Sequence, residues 1–201
     1  MIDSNIINEL LGISESYQAP QVMLEKMLVQ SEREELFKRF LSHEHRLDYE
    51  WFKNYFEAEH ADRRVKKQDF TPQGISEILS ELVELTDTSH ESAAGTGGIM
   101  IQMWNRARLG VSPFCYDPRK YWYQAEELSD RAIPFLIFNM SIRGMNGVII
   151  HGDSLEQTAK EVYFIRNDSS DFLGFSEVIK MPHVPALERE LNIRFEVGSE
   201  C

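Results

Sequence analysis

Three glycines within four positions (Gly95, Gly97 and Gly98) close the segment Glu91-Ser92-Ala93-Ala94-Gly95-Thr96-Gly97-Gly98. The segment opens directly onto an apolar run: Ile99, Met100, Ile101, Met103 and Trp104. Glycine belongs where a backbone must take positive φ or let a ligand come close. The start of a helix presents unpaired N–H groups and a partial positive charge. A tight loop opening onto a helix therefore suits a nucleotide-like ligand or a carboxylate. A plain turn has the same composition, and on the loop alone both readings stay open.

Two further places carry groups that could work with such a loop. Glu126 and Glu127 end one apolar stretch, and Asp153-Ser154 ends another. Carboxylates at the ends of strands accept hydrogen bonds from ribose hydroxyls. Asp153 at the next strand end could accept from an adenine amino group. Taken singly, Glu126 and Glu127 also read as solvated charges, and Asp153 as a cap or turn residue. Their order relative to the glycine loop favours a joint site.

The elements that must position these residues follow from apolar spacing. Residues 1–18 read as polar and irregular, apart from Ile6, Ile7, Leu10 and Leu11. A helix begins near Pro20, which fits a first turn. Ser31 with Glu34 predicts a capping box opening a second helix. A third helix is expected over 49–67, with an aromatic stripe of Trp51, Phe52, Tyr55 and Phe56 that reads as core. After Pro72, Ile75, Ile78, Leu79, Leu82 and Val83 mark a strongly amphipathic helix. Short strands are expected at 88–90, 121–125, 148–150 and 162–165. Helices lie between the first three, one of them carrying Pro134 early and ending at Gly144. A last helix over 185–191 precedes a strand over 193–197. Helices alternating with short apolar strands predict an α/β fold: a mostly parallel sheet with helices on both faces, behind an all-helical N-terminal region. The expected division is 1–67 and 68–201.

Composition narrows the function. The chain has 201 residues, 42% of them hydrophobic, enough for one α/β domain with an appendage. No stretch is long and apolar enough to span a membrane, and the start lacks a basic-then-apolar leader. The expectation is a soluble, cytoplasmic protein without membrane partners. Cys115 and Cys201 suggest neither a structural disulfide nor a metal site, and His43 and His45 read as surface residues. The net charge of −12 argues against broad attraction to nucleic acid phosphates. Arg63, Arg64, Lys66 and Lys67 form a local basic cluster. It reads as a solvated helix end or as a phosphate contact beside a site.

With these residues in place, the chain resembles the S-adenosylmethionine-dependent N6-adenine DNA methyltransferases, in particular the modification subunits of type I restriction systems. Asp69-Phe70-Thr71-Pro72 is similar to the family's Phe-Thr-Pro element. Residues 91–98 resemble its Asp-Pro-Ala-Cys-Gly-Thr-Gly-Gly loop. Glu126-Glu127-Leu128-Ser129 resembles its Gln-Glu-Leu-Asn, and Gly152-Asp153-Ser154-Leu155 its Gly-Asp-Ser/Thr-Leu. Phe138-Asn139-Met140 and Arg143-Gly144 also look like their counterparts. The likeness covers roughly 60–170. A weaker likeness is to short methylase-like proteins of phages and mobile elements.

The resemblance implies a Rossmann-like methyltransferase sheet and S-adenosyl-L-methionine as cofactor. It implies that Phe70 and Thr71 border the methionine end of that cofactor. Glu91, Ala93, Gly95, Thr96, Gly97 and Gly98 would wrap the same end. Glu127 would hold the ribose, and Asp153, with Ser154 beside it, the adenine.

Two departures matter. Glu91-Ser92 stands where the family has Asp-Pro, which keeps the charge. The family's catalytic Asn-Pro-Pro-Tyr/Phe is absent from the whole sequence. The nearest positional equivalent is Asn167-Asp168-Ser169-Ser170, with Asn167 as the candidate acceptor for the adenine amino group and Phe172 as a ring. A polar turn without catalytic role is the other reading. The stretch after Asn167 is too short for a DNA-reading domain, so DNA contacts are expected from a partner protein. The expected function is adenine N6-methylation of DNA, or its cofactor-binding part. The alternative is an inactive methyltransferase-like binding protein, a cofactor sensor or a ligand of a restriction or defence complex.

Overall fold

A computed structural model describes residues 2–59, 71–84, 86–112, 115–170 and 174–196. The expectations for Phe70, for the basic cluster at 63–67 and for Phe172 lie outside these residues.

The N-terminal region is helical from the start. α1 (Ser4–Leu11) is capped by Asp3, whose side chain accepts from the Asn5 amide at 2.8 Å, and Gly12 closes it at φ 74°. Two caps turn the spacing of Ile7, Leu10 and Leu11 into a helix, where an irregular stretch was expected. α2 (Ala19–Leu28) carries Pro20 in its first turn, as expected. α3 (Gln30–His43) starts immediately after Val29 and has no side-chain cap. Ser31 already lies inside the first turn, so the expected capping box cannot form. Glu34 instead accepts from the Gln30 side chain at 3.0 Å. The helix expected from Tyr49 begins only at α4 (Lys53–Glu59); residues 44–52 form a non-helical strap.

One sheet organises the rest. β1 (Thr88–Ser92), β2 (Trp122–Glu127), β3 (Gly147–Asp153), β4 (Thr158–Arg166) and β5 (Glu177–Lys180) follow in that spatial order, and β6 (Arg194–Phe195) pairs with β4. β1–β2, β2–β3 and β4–β6 are parallel; β3–β4 and β4–β5 are antiparallel. The parallel part, β1 to β3, holds the first three expected strands. β4 departs from the reading, because it returns from β3 through a tight hairpin. Gln157 in that turn takes φ 54°. Gly152 lies at a register shift next to it, where an added Cβ would collide with the Thr158 backbone.

The core explains why these elements hold together. α6 (Gly98–Leu109) and α7 (Ile133–Ile142) pack on one face of the sheet, and every residue of α7 is buried. A helix apolar on all sides belongs in the centre, and Pro134 is tolerated in its first turn. Around Phe138 and Phe135 gather Phe37, Phe40, Trp51, Phe52 and Phe56, with ring centroids 4.8–6.2 Å apart. Each fully buried ring contributes about 1.5–3 kcal/mol of transfer free energy. The N-terminal helices and the sheet thus share one apolar cluster on either side of the expected boundary. On the other face, Leu187 of α8 (Pro185–Leu191) and Ile193 just after it cluster with Val148, Ile150 and Val162.

α5 (Gln73–Leu82) is the exception to this burial. It packs chiefly on α6, and it does so through Ser76 and Ser80, which are 1% and 2% exposed. Ser76 Oγ lies 3.6 Å from the position a Cβ on Gly98 would occupy, a close approach that small residues permit. The apolar stripe read from the sequence faces outward: Ile78 is 59% and Leu82 77% exposed.

Candidate cofactor cleft

β1 and β2 end side by side, and β3 ends next to them, so the loops that follow converge. Ser92 is in register with Glu126, and Glu127 with His151. A cavity of about 570 Å³ opens at this edge, within the size range of small-molecule sites. Parallel strands feeding a common crevice at their carboxyl ends is the usual placement for ligands in such sheets.

The loop at 93–97 is a built structure. Ala93, Gly95 and Gly97 take φ of 61°, 58° and 92°. Left-handed backbone costs a non-glycine residue about 1–2 kcal/mol, so Ala93 stores strain there. A Cβ on Gly97 would lie 2.9 Å from Leu136 Cδ1, so that position is closed to side chains as well. The Ala94 amide donates to the Glu126 carbonyl at 2.9 Å, and the Gly97 amide to the Ala94 carbonyl at 2.9 Å. Gly98 and Ile99 then open α6 with amides that have no intrahelical acceptor.

Two carboxylates fix this loop, and a third fixes the neighbouring turn. Glu127, 6% exposed, accepts from the Gly95 amide at 2.7 Å and from the Ser129 amide at 2.8 Å. Glu91 accepts from the Met100 amide at 3.1 Å and so caps the first turn of α6. Burial pushes the Glu91 carboxyl up to about 8; the Met100 amide opposes that shift and the charge of Glu127 adds to it. Asp153 uses one oxygen, Oδ1, to accept from the Leu155 and Glu156 amides at 2.9 and 3.1 Å, holding the β3–β4 turn.

The structure therefore brings together Thr71, Glu91, Ala93, Gly95, Thr96 and Gly98 on the wall of one cavity. Glu127, Asp153 and Ser154 complete that wall from the ends of β2 and β3. Gly97 stands behind it against Leu136.

Asn167 is not among them. β4 is antiparallel to β3, and Ile165 pairs with Gly147, so the residue after β4 lies at the opposite end of the sheet. There Asn167 is 4% exposed and fully engaged. Its amide donates to Asn146 Oδ1 at 2.6 Å, its carbonyl accepts from Asn146 Nδ2 at 3.0 Å, and its side chain donates to the Gly144 carbonyl at 3.0 Å. Its Oδ1 accepts from the Ser169 amide at 3.0 Å. The expected catalytic placement assumed a parallel fourth strand; the hairpin at 154–157 reverses it. Asn167 is a structural clasp.

The cleft also contains residues that sequence reasoning missed. Glu50 and Lys53, from the N-terminal region, line it. Glu50 Oε1 accepts from the Phe52 amide at 2.8 Å and from Asn139 Nδ2 at 2.9 Å, while Oε2 is buried without a hydrogen-bond partner. Burial raises its pKa. Asn139 also donates to the Thr96 carbonyl at 2.8 Å, which links Glu50 to the glycine loop. Arg143 holds the strap that carries Glu50. It donates to the Leu47 and Tyr49 carbonyls and to the Asn139 carbonyl, each at 2.8 Å. Desolvation lowers the Arg143 pKa to about 9, with Glu50 opposing the shift. One signal for Glu50 existed: a lone charge inside the aromatic run Tyr49-Glu50-Trp51-Phe52.

A family model described as N-6 DNA Methylase matches residues 47–178, more than half of the chain. The chain belongs to the N-6 DNA methylase family. Comparison with curated proteins and with solved structures gives no match. The N-6 DNA methylase match begins at the strap bearing Glu50 and ends in β5, so it takes in every residue of the cleft named above. Members of this family act on DNA and generally use S-adenosylmethionine. The cleft fits such a group: its volume is adequate, Gly98 and Ile99 bring the start of a helix to its wall, and carboxylates stand at three strand ends. Among the described residues no group of three or more potential metal ligands occurs, and no helix is long and apolar enough to cross a membrane.

Proposed function

We propose that this protein is the S-adenosylmethionine-binding part of an N6-adenine DNA methylase that works with a protein partner. The observation that carries the reading is the convergence of the loop at 91–98, Glu127 and Asp153 on one cavity. In this reading the first-turn amides of α6 and the loop hold the methionine end, Glu127 the ribose and Asp153, through its second oxygen, the adenine. S-adenosylmethionine, when bound, supplies the methyl group. The residues of the chain orient it and shield it from water; positioning of this kind supplies much of the rate in transfer reactions. Phe70 and Thr71 belong to the same proposal as its border.

The partner is required for two reasons. The net charge of −12 opposes binding to DNA unaided. The cleft as described holds no asparagine from the 167–170 loop to accept the adenine amino group. A cytoplasmic protein of a restriction–modification or mobile-element system fits this reading. The displacement of Asn167 also favours a second reading, a cofactor-binding sensor without catalysis.

Calorimetric titration with S-adenosylmethionine tests the shared part. Binding that weakens at least tenfold in Glu127→Ala is expected, and no heat at millimolar cofactor would sink both readings. Labelled cofactor with unmethylated plasmid DNA separates them. Label in DNA supports the methylase, whereas bound cofactor with no transfer in the presence of candidate partners leaves the sensor.

A further inference from the structure

We infer that the free edge of β1 and the outward face of α5 together form a docking surface for a basic, strand-forming segment of another protein. The inference rests on the partner reading above and gives that partner a place and a chemistry.

The sheet stops at β1, which pairs only with β2 among the described strands. Its other edge presents backbone N–H and C=O groups, the template for strand addition. Thr88, His90 and Ser92 are exposed, in contrast to β3, whose first six residues are all buried. α6 runs back under β1, and α5 packs on α6. α5 thus stands beside the sheet, and its stripe of Ile75, Ile78, Leu79 and Leu82, continued by Val83 at its C-cap, has no strand over it among the described residues. Arg106 donates to the Val83 carbonyl at 3.2 Å and fixes the end of α5 to α6. A strand added to β1 would extend the sheet on the side where α6 packs beneath β1 and α5 packs on α6. Five large apolar side chains, 38–77% exposed, in one helical stripe exceed the scattered apolar exposure of a typical surface.

Charge selects the occupant. Glu81, Glu84 and Asp87, all exposed, rim the stripe on the same short segment. A second copy of a chain with net charge −12 would bring the same acidic rim against itself. A strand with apolar residues on its α5-facing side and lysine or arginine at its two ends satisfies all three features: main-chain pairing with β1, apolar side chains on α5 and basic ends against the rim.

The test uses the full chain and two ten-residue peptides with the same centre of alternating valine and serine, one flanked by lysines and one by glutamates. Hydrogen exchange is followed at residues 88–92 during titration. The inference expects the lysine peptide to slow exchange there at least tenfold and the glutamate peptide to leave it unchanged. It also expects Ile78→Glu with Leu82→Glu, folded by circular dichroism, to weaken the lysine peptide at least tenfold. No protection at 88–92, or equal protection by both peptides, overturns it. So does sedimentation showing that the chain pairs with itself and protects the same amides without peptide. Titration with S-adenosylmethionine on the same preparations reports separately on the cleft, so loss of one result with the other intact identifies which reading fails.

Discussion

The two ends of the sheet contrast in how they use the same kinds of side chain. At the carboxyl ends of β1–β3, polar groups surround an open cavity, and several keep spare capacity. Asp153 uses one oxygen for its turn, Glu50 Oε2 has no partner, and the α6 start offers free amides. At the other end, Asn146 and Asn167 satisfy one another's main-chain and side-chain groups in a closed clasp. Polar residues of a structural clasp exhaust each other, while those of a site leave valences for a ligand. The family resemblance left Asn167 open between the two classes; its hydrogen bonds place it in the first.

That contrast can be broken by experiment. The largest effect is expected from Gly97→Val, which forces a β-branched residue to positive φ and into Leu136. It should cost roughly 2–4 kcal/mol in denaturant unfolding and abolish cofactor binding. Wild-type stability in this variant would mean that the loop is not the rigid structure described. Glu127→Ala leaves the Gly95 and Ser129 amides without acceptors and should cost about 2 kcal/mol, together with the tenfold loss of cofactor affinity. Retained affinity would remove Glu127 from the ligand end.

Glu91→Gln sharpens the picture through pH. The folded protein holds this proton up to about 8, whereas the unfolded chain loses it near the ordinary 4.5. Its contribution is fully present below 4.5 and is lost as pH rises to about 8. Urea unfolding of the wild type should therefore show declining stability across that window. The Gln variant should lack this component and gain on the order of 4 kcal/mol relative to wild type at pH 8.5 over pH 5. Parallel profiles would show that Glu91 is not held protonated. The smallest effect belongs to Asn167→Ala, about 1 kcal/mol of stability from the lost Gly144 and Ser169 bonds, with cofactor affinity within twofold of wild type. A tenfold drop in affinity without a stability change would erase the distinction between the two ends.

Much of the cleft was legible along the chain. The glycine loop, Glu127 and Asp153 sit at strand ends because apolar runs and turn residues fix where short strands stop. Those are local properties, and reading them required no partner strand. The strap with Glu50 was not legible, because its role depends on Arg143 and Asn139, which reach it across about ninety residues of sequence. The outward turn of α5 was equally hidden. Its hydrophobic pattern defines a face but not a direction, and two serines meeting a glycine-started helix decided which side packed.

The sequence by itself determined the order of helices and strands, the positive-φ loop, the acidic residues that follow the strands and the acidic net charge. Tertiary structure alone decided that β4 runs antiparallel to β3, which carries Asn167 to the far end, and that β1 pairs on one side only among the described strands. The physical reason is that strand direction and pairing are set by which backbone groups find partners in space, and hydrophobic periodicity is the same for a parallel strand and an antiparallel one.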